Sequence, residues 1–128
     1  MKKTHIRALK QISDNLRCSK PNKKSALEIL KYLIEKADSE RIRADSIKLL
    51  AKLTPKTPTI FRIYEKCLLS DESPNVRALA AKFLLLDYPK KCKKSIKWAI
   101  KNETSPIVLK TINDLSFGMD GHKLELLR

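Results

Sequence analysis

One passage of this chain is written more than once. Residues 71–89, DESPNVRALAAKFLLLDYP, have a looser copy 34 positions upstream in residues 37–55, ADSERIRADSIKLLAKLTP. In both copies a β-branched apolar residue precedes an arginine (Ile42-Arg43, Val76-Arg77). An apolar run follows and a proline closes the copy, Pro55 or Pro89. A fainter third copy, NETSPIVLKTINDLSF, begins at Asn102 and sets Pro106 on Pro74 and Val108 on Val76 at an offset of 32. Self-similarity at this period narrows the folds open to the chain. Each copy is one supersecondary element that cannot bury its apolar face alone, so successive copies have to stack.

The elements are helices, and the prolines mark their borders. All six prolines fall between apolar-periodic segments, as they must in a helical chain, because an internal proline removes a hydrogen bond and clashes with the preceding turn. Thr57-Pro58, Ser73-Pro74 and Ser105-Pro106 each put a hydroxyl at an N-cap and proline at the first helical position, while Pro55 and Pro89 follow helix ends. The pattern predicts seven helices, over 3–17, 23–36, 40–53, 58–69, 74–86, 90–101 and 106–116. Apolar residues at helical spacing mark the core faces: Ile42, Leu49, Leu50 and Leu53, then Val76, Ala80, Phe83 and Leu84. The partner helices carry Leu30, Leu33 and Ile34, then Ile60, Ile63, Cys67 and Leu68, then Cys92, Ile96, Ala99 and Ile100.

On these residues the chain resembles a HEAT repeat, an armadillo-like helical hairpin. Asp71 stands six residues before Arg77, with Pro74 and Val76 between them and ALAAKFL after, which is similar to that family's second-helix signature. The resemblance covers residues 23–116. It implies an all-α fold, a right-handed α-solenoid of about three hairpins with an N-terminal helix in front. The expected organisation is a single domain over 1–128: helix 1–22, repeats at 23–56, 57–88 and 89–117, and a tail 118–128. The resemblance further implies an inter-repeat ladder built from Asp71, Arg43 and Arg77. In the first repeat Asp38 is five residues before Arg43, and in the third Leu109 replaces the arginine and no aspartate is aligned. The tail leucines Leu124, Leu126 and Leu127 either dock as a cap or begin another helix.

Catalytic or metal chemistry finds little to work with. The two histidines, His5 and His122, stand near opposite ends with no ligand partners at a metal-binding spacing. The glycines, Gly118 and Gly121, are both in the tail, so there is no phosphate-cradling loop. Asp38, Glu40, Asp71 and Glu72 sit at helix starts, where they complement the helix dipole. Cys18, Cys67 and Cys92 are odd in number and spaced for neither a disulfide framework nor a zinc site, and Cys67 and Cys92 fall on core stripes. Although some solenoids of this type are alkylation-repair DNA glycosylases, no paired tryptophan and acid is identifiable as their catalytic set. The expectation is a protein with no enzymatic activity and no cofactor.

Charge is the unusual total. Lysine and arginine number 28 against 14 acidic residues, a formal net charge of +14, and residues 1–24 and 87–102 supply most of it. Such a field favours anionic partners. No 18-residue apolar run is present and MKKTHIRALKQ lacks the apolar centre of a signal peptide, which predicts a soluble cytoplasmic protein without transmembrane insertion.

Two surfaces are candidates for binding. The first flanks the core stripes of the inner helices: Arg41, Lys48 and Lys52, then Leu79, Lys82 and Leu86. A mixed apolar and basic strip suits a protein segment of acidic character, or else it widens the inter-repeat core. On this reading the chain is a scaffold or adaptor for another protein. The second is the face Lys91, Lys94, Trp98 and Lys101, spaced three, four and three apart, with Trp98 about 200° around the helix from the core residue Ile96. Lysines interleaved with the only tryptophan suit a nucleic-acid backbone with a stacked base. The other reading of Trp98 is packing on a neighbouring helix, as for Tyr32 in the equivalent register. Of the 28 basic residues 21 are lysine, which binds phosphate as a point charge and favours backbone over sequence recognition.

Overall fold

The computed structural model describes residues 3–17, 23–53 and 56–116. Among them are seven α-helices and no strand: α1 (Lys3–Arg17), α2 (Lys23–Lys36), α3 (Glu40–Leu50), α4 (Pro58–Ser70), α5 (Pro74–Asp87), α6 (Lys93–Asn102) and α7 (Pro106–Ser116). The chain divides into two compact units, Met1–Pro55 and Lys56–Arg128. The tail 118–128, with His122 and its leucines and glycines, lies outside the described residues, as does Cys18.

In the N-terminal unit α2 and α3 form a hairpin and α1 packs against both. The turn between them is short because Ser39 ends it at once. Its backbone is extended and its hydroxyl accepts the otherwise orphaned N–H of Ile42 at 3.3 Å. Leu33, Ala37 and Ile42 meet across this turn, with Ala8 and Leu9 of α1 resting on them. Leu30, Ile47 and Leu50 are fully shielded from solvent, each worth about 1.5–3 kcal/mol of burial. The helix expected over 40–53 ends at Leu50. Beyond it Lys52 and Leu53 donate to Leu49 and Leu50, a tightened last turn that keeps Leu53 buried.

In the C-terminal unit α5 lies against α4 on one side and α7 on the other, and α6 lies beside α4. Pro58 and Pro74 occupy first-turn positions, and Thr57 and Ser73 cap Ile60 and Val76 at 3.2 and 3.3 Å. The core holds Ile60, Ile63, Leu68, Val76, Ala80, Leu84, Ile96, Val108 and Ile112. An aromatic group closes one end. Tyr64 stacks on Phe83 at 5.9 Å, and Tyr88 sets its ring edge against Phe61 and Tyr64 at 5.4 and 6.3 Å. The Tyr88 hydroxyl donates to the Thr57 carbonyl at 2.9 Å. The helix expected over 90–101 starts at Lys93 instead. Tyr88 precedes a proline, which drives it off the helical region to φ −135°, and a turn closed by the Cys92 N–H on the Tyr88 carbonyl intervenes.

Candidate functional site

The strongest concentration of charge with an aromatic lies on α6 and the turn before it. Helix α6 buries Ser95, Ile96 and Ala99 and turns Lys94, Lys97, Trp98 and Lys101 outward. Lys94, Trp98 and Lys101 share one stripe of the helix at spacings of four and three. Trp98 is 47 % exposed, so about half of its surface stays in contact with solvent. Tyr32, its counterpart in the N-terminal unit, is also exposed, and meets the buried ring of His5 edge-on at 5.9 Å.

Lys91 stands apart from its three companions. It belongs to the turn rather than to α6, and its ammonium lies 4.8 Å from the centre of the Phe61 ring on α4. The lysine is exposed but aimed across the gap between the two helices. Beside it the Ser95 hydroxyl contacts the Glu65 carboxylate, which occupies the one acid on this side of α4. Among the described residues no carboxylate pairs with Lys94 or Lys101.

The residues of the other candidate surface are divided between the units. Arg41 and Lys48 lie on α3 and Lys52 just after it, all exposed, with Arg41 3.9 Å from the Asp45 carboxylate. Leu79, Lys82 and Leu86 share a stripe of α5. Leu79 is half-buried, Lys82 lies 5.4 Å from the neighbouring Phe83 ring, and Leu86 is 54 % exposed.

The arginines expected in a ladder are structural anchors. Arg43 is buried and donates from one terminal nitrogen to the Ala37 and Asp38 carbonyls at 2.9 and 3.0 Å. Arg77 makes the corresponding bond to the Asp71 carbonyl at 2.8 Å and grips the Glu103 carboxylate with Nε and its other terminal nitrogen, both at 2.9 Å. The Asp71 carboxylate accepts the Ser73 N–H at 2.8 Å. Glu103 also accepts the Thr104 and Ser105 N–H groups at 3.1 Å. Its burial would raise the carboxyl pKa, yet the Arg77 bonds and the two backbone N–H groups outweigh that and hold it below the usual range. Sequence reasoning passed over Glu103, although it follows Asp71 by 32 residues, the same offset that aligns Pro106 with Pro74.

The remaining candidates for chemistry are enclosed. Cys67 and Cys92 are buried, and burial pushes the Cys92 thiol up to about 11 against the weaker opposing pull of a backbone hydrogen bond and Lys93. Among the described residues no His, Cys, Asp or Glu cluster has the arrangement of a metal site, and no helix is long and apolar enough to cross a membrane. No family model, curated protein or solved structure matches the chain.

Proposed function

We propose that this chain is a non-enzymatic, HEAT-like helical-repeat module, and that its working surface is the Lys91, Lys94, Trp98 and Lys101 face, which binds the phosphate backbone of a nucleic acid. The observation that carries the reading is Trp98: a large apolar ring left about half in solvent between lysines that no described carboxylate neutralises. A solvated lysine face needs no indole, and this one keeps about half of its surface in water. An indole set among ammonium groups suits a ligand that brings both anionic and flat apolar surface. The helical-repeat reading is supported by the α2–α3 and α4–α5 hairpins and by Arg43 and Arg77 holding the corresponding Ala37 and Asp71 carbonyls.

The test is a titration of Trp98 fluorescence, unambiguous because it is the only tryptophan, with mixed-sequence oligonucleotides at about 50 and 200 mM salt. Three lysine contacts give a single-strand salt slope of about −2, hence roughly 18-fold weaker binding across that range. Lys94→Gln with Lys101→Gln lowers the slope by about 1.4. A titration flat at low salt refutes the reading.

A second reading is favoured by Leu86, exposed on the same stripe as Lys82: an adaptor that receives an acidic protein segment along Leu79, Lys82 and Leu86, with Arg41, Lys48 and Lys52 as the corresponding N-terminal surface. Lys82→Glu that leaves partner capture unchanged refutes it.

A further inference from the structure

Two contacts, one from α6 and one from the turn before it, set the register of this segment against α4. Lys91 reaches Phe61, and four residues on Ser95 reaches Glu65, a separation of 30 in each case. Both partners advance together, so the helices run parallel with that offset. One turn further the offset puts Leu69 level with Ala99, which is buried, while Trp98 stands beside it on the solvent side. Leu69 and Trp98 are both exposed, 39 % and 47 %, and the offset sets them within one residue of the same level.

The outer stripe of α4 that carries Leu69 also carries Arg62 and Lys66, at i, i+4 and i+7, and both are exposed. Among the described residues no carboxylate pairs with either. Placed by the offset, the outward groups follow one another along the seam as Arg62, Lys94, Lys66, then Trp98 with Leu69, then Lys101. That is a spread of about 13 Å at 1.5 Å per residue. It is room for about four nucleotides at the 3.4 Å per-strand rise of stacked DNA.

We infer that the seam between α4 and α6 is the path of a single strand, with Arg62 and Lys66 a second row of phosphate contacts and Trp98 with Leu69 a platform for an unpaired base. The inference rests on the nucleic-acid reading above and adds the strand form and three residues to it. Charge complementarity selects an anionic ligand, and the apolar platform selects among anions. A duplex keeps its base faces inside its own stack and presents phosphates, so it leaves the indole and Leu69 uncovered. An unpaired base covers both, and the lysines and arginine follow its backbone on either side.

The experiment measures anisotropy of fluorescein-labelled oligo-dT and of a mixed-sequence duplex, against wild type, Arg62→Gln with Lys66→Gln, Lys94→Gln with Lys101→Gln, and Trp98→Ala. Far-UV circular dichroism confirms that these surface variants keep their helix content. Five phosphate contacts, Lys91 included, give a salt slope of about −3.5 for the single strand, and either double variant lowers it to about −2.1. Trp98→Ala weakens oligo-dT about tenfold and leaves the duplex unchanged. If Arg62→Gln with Lys66→Gln keeps the wild-type slope while Lys94→Gln with Lys101→Gln does not, the seam path is wrong and the α6 face survives. If the duplex binds as well as oligo-dT, the strand preference is wrong and the α6 face again survives. Binding of neither overturns both readings. Polyglutamate or phosphatidylserine vesicles competing as well as oligo-dT at equal charge also overturn the inference, by marking the seam as a surface for any polyanion.

Discussion

Replacing Glu103 by Gln should be among the most damaging single-atom changes available to this chain. The Glu103 side chain is 7 % exposed and that of Arg77 17 %, so the pair is largely out of water. The carboxylate accepts four N–H groups, two from the guanidinium at 2.9 Å and two from the backbone at 3.1 Å. An amide keeps one accepting oxygen and turns the other position into a donor, which faces the guanidinium Nε at the Oε2 position, or the other guanidinium nitrogen and both backbone N–H groups at the Oε1 position. Hydrogen bonds to charged groups contribute about 1.5–3 kcal/mol each, and breaking a buried pair costs about 3–5 kcal/mol. Arg77 keeps its bond to the Asp71 carbonyl and some access to water, which places the loss at the lower end, about 3 kcal/mol. For a chain of this size that lowers Tm by about 10 °C. Urea unfolding followed by far-UV circular dichroism measures it. The pH dependence gives a second reading. Because the folded-state pKa of Glu103 is depressed, its contribution is present above the unfolded value of about 4.3 and is lost as pH falls through the folded value. The gap between wild type and Glu103→Gln should therefore shrink on acidification from pH 7 to about 3. A variant within about 1 kcal/mol of wild type at neutral pH, or a gap that does not move with pH, refutes the reasoning.

Tyr64 and Cys92 give two further expectations. The Tyr64 hydroxyl is buried with no hydrogen-bond partner among the described residues, and burial, then the Asp87 carboxylate, push the phenol up so that it stays protonated. Tyr64→Phe removes an orphaned polar group while keeping the ring, and should stabilise by about 1 kcal/mol, read as a raised urea midpoint at unchanged slope; a lowered midpoint refutes it. With its thiol raised to about 11 and buried, Cys92 should resist iodoacetamide at about pH 8 until the fold opens. Peptide mapping by mass spectrometry that finds Cys92 alkylated as fast as in urea contradicts this.

The helices were legible in the sequence because their borders are set locally. A hydroxyl and a proline at Thr57-Pro58 or Ser73-Pro74 decide a helix start whatever lies beyond, and both caps are formed. The start of α6 was misplaced because two local signals compete there: Pro89 permits a first turn, but the non-helical Tyr88 before it and the Cys92 turn postpone the helix to Lys93. Trp98 was legible as off the core from its angle on the helix. Its exposure was not, because that depends on which neighbours reach it. Arg62, Lys66 and Leu69 drew no reading from the sequence, since their register against α6 is a tertiary property, visible only where Phe61 and Glu65 meet residues 30 positions away. Glu103 was hidden by a smaller thing, one methylene, in a search for aspartate.

The Arg77 guanidinium ties the turn before α5 to the turn before α7, since one nitrogen holds the Asp71 carbonyl while the others hold a carboxylate that itself grips the Thr104 and Ser105 amides. The two turns are thereby a single mechanical part assembled from segments 32 residues apart. Lengthening either turn by one residue would unseat both. A protein engineer splicing a helix pair into this unit would have to carry an arginine and its distant acid along as one indivisible cassette.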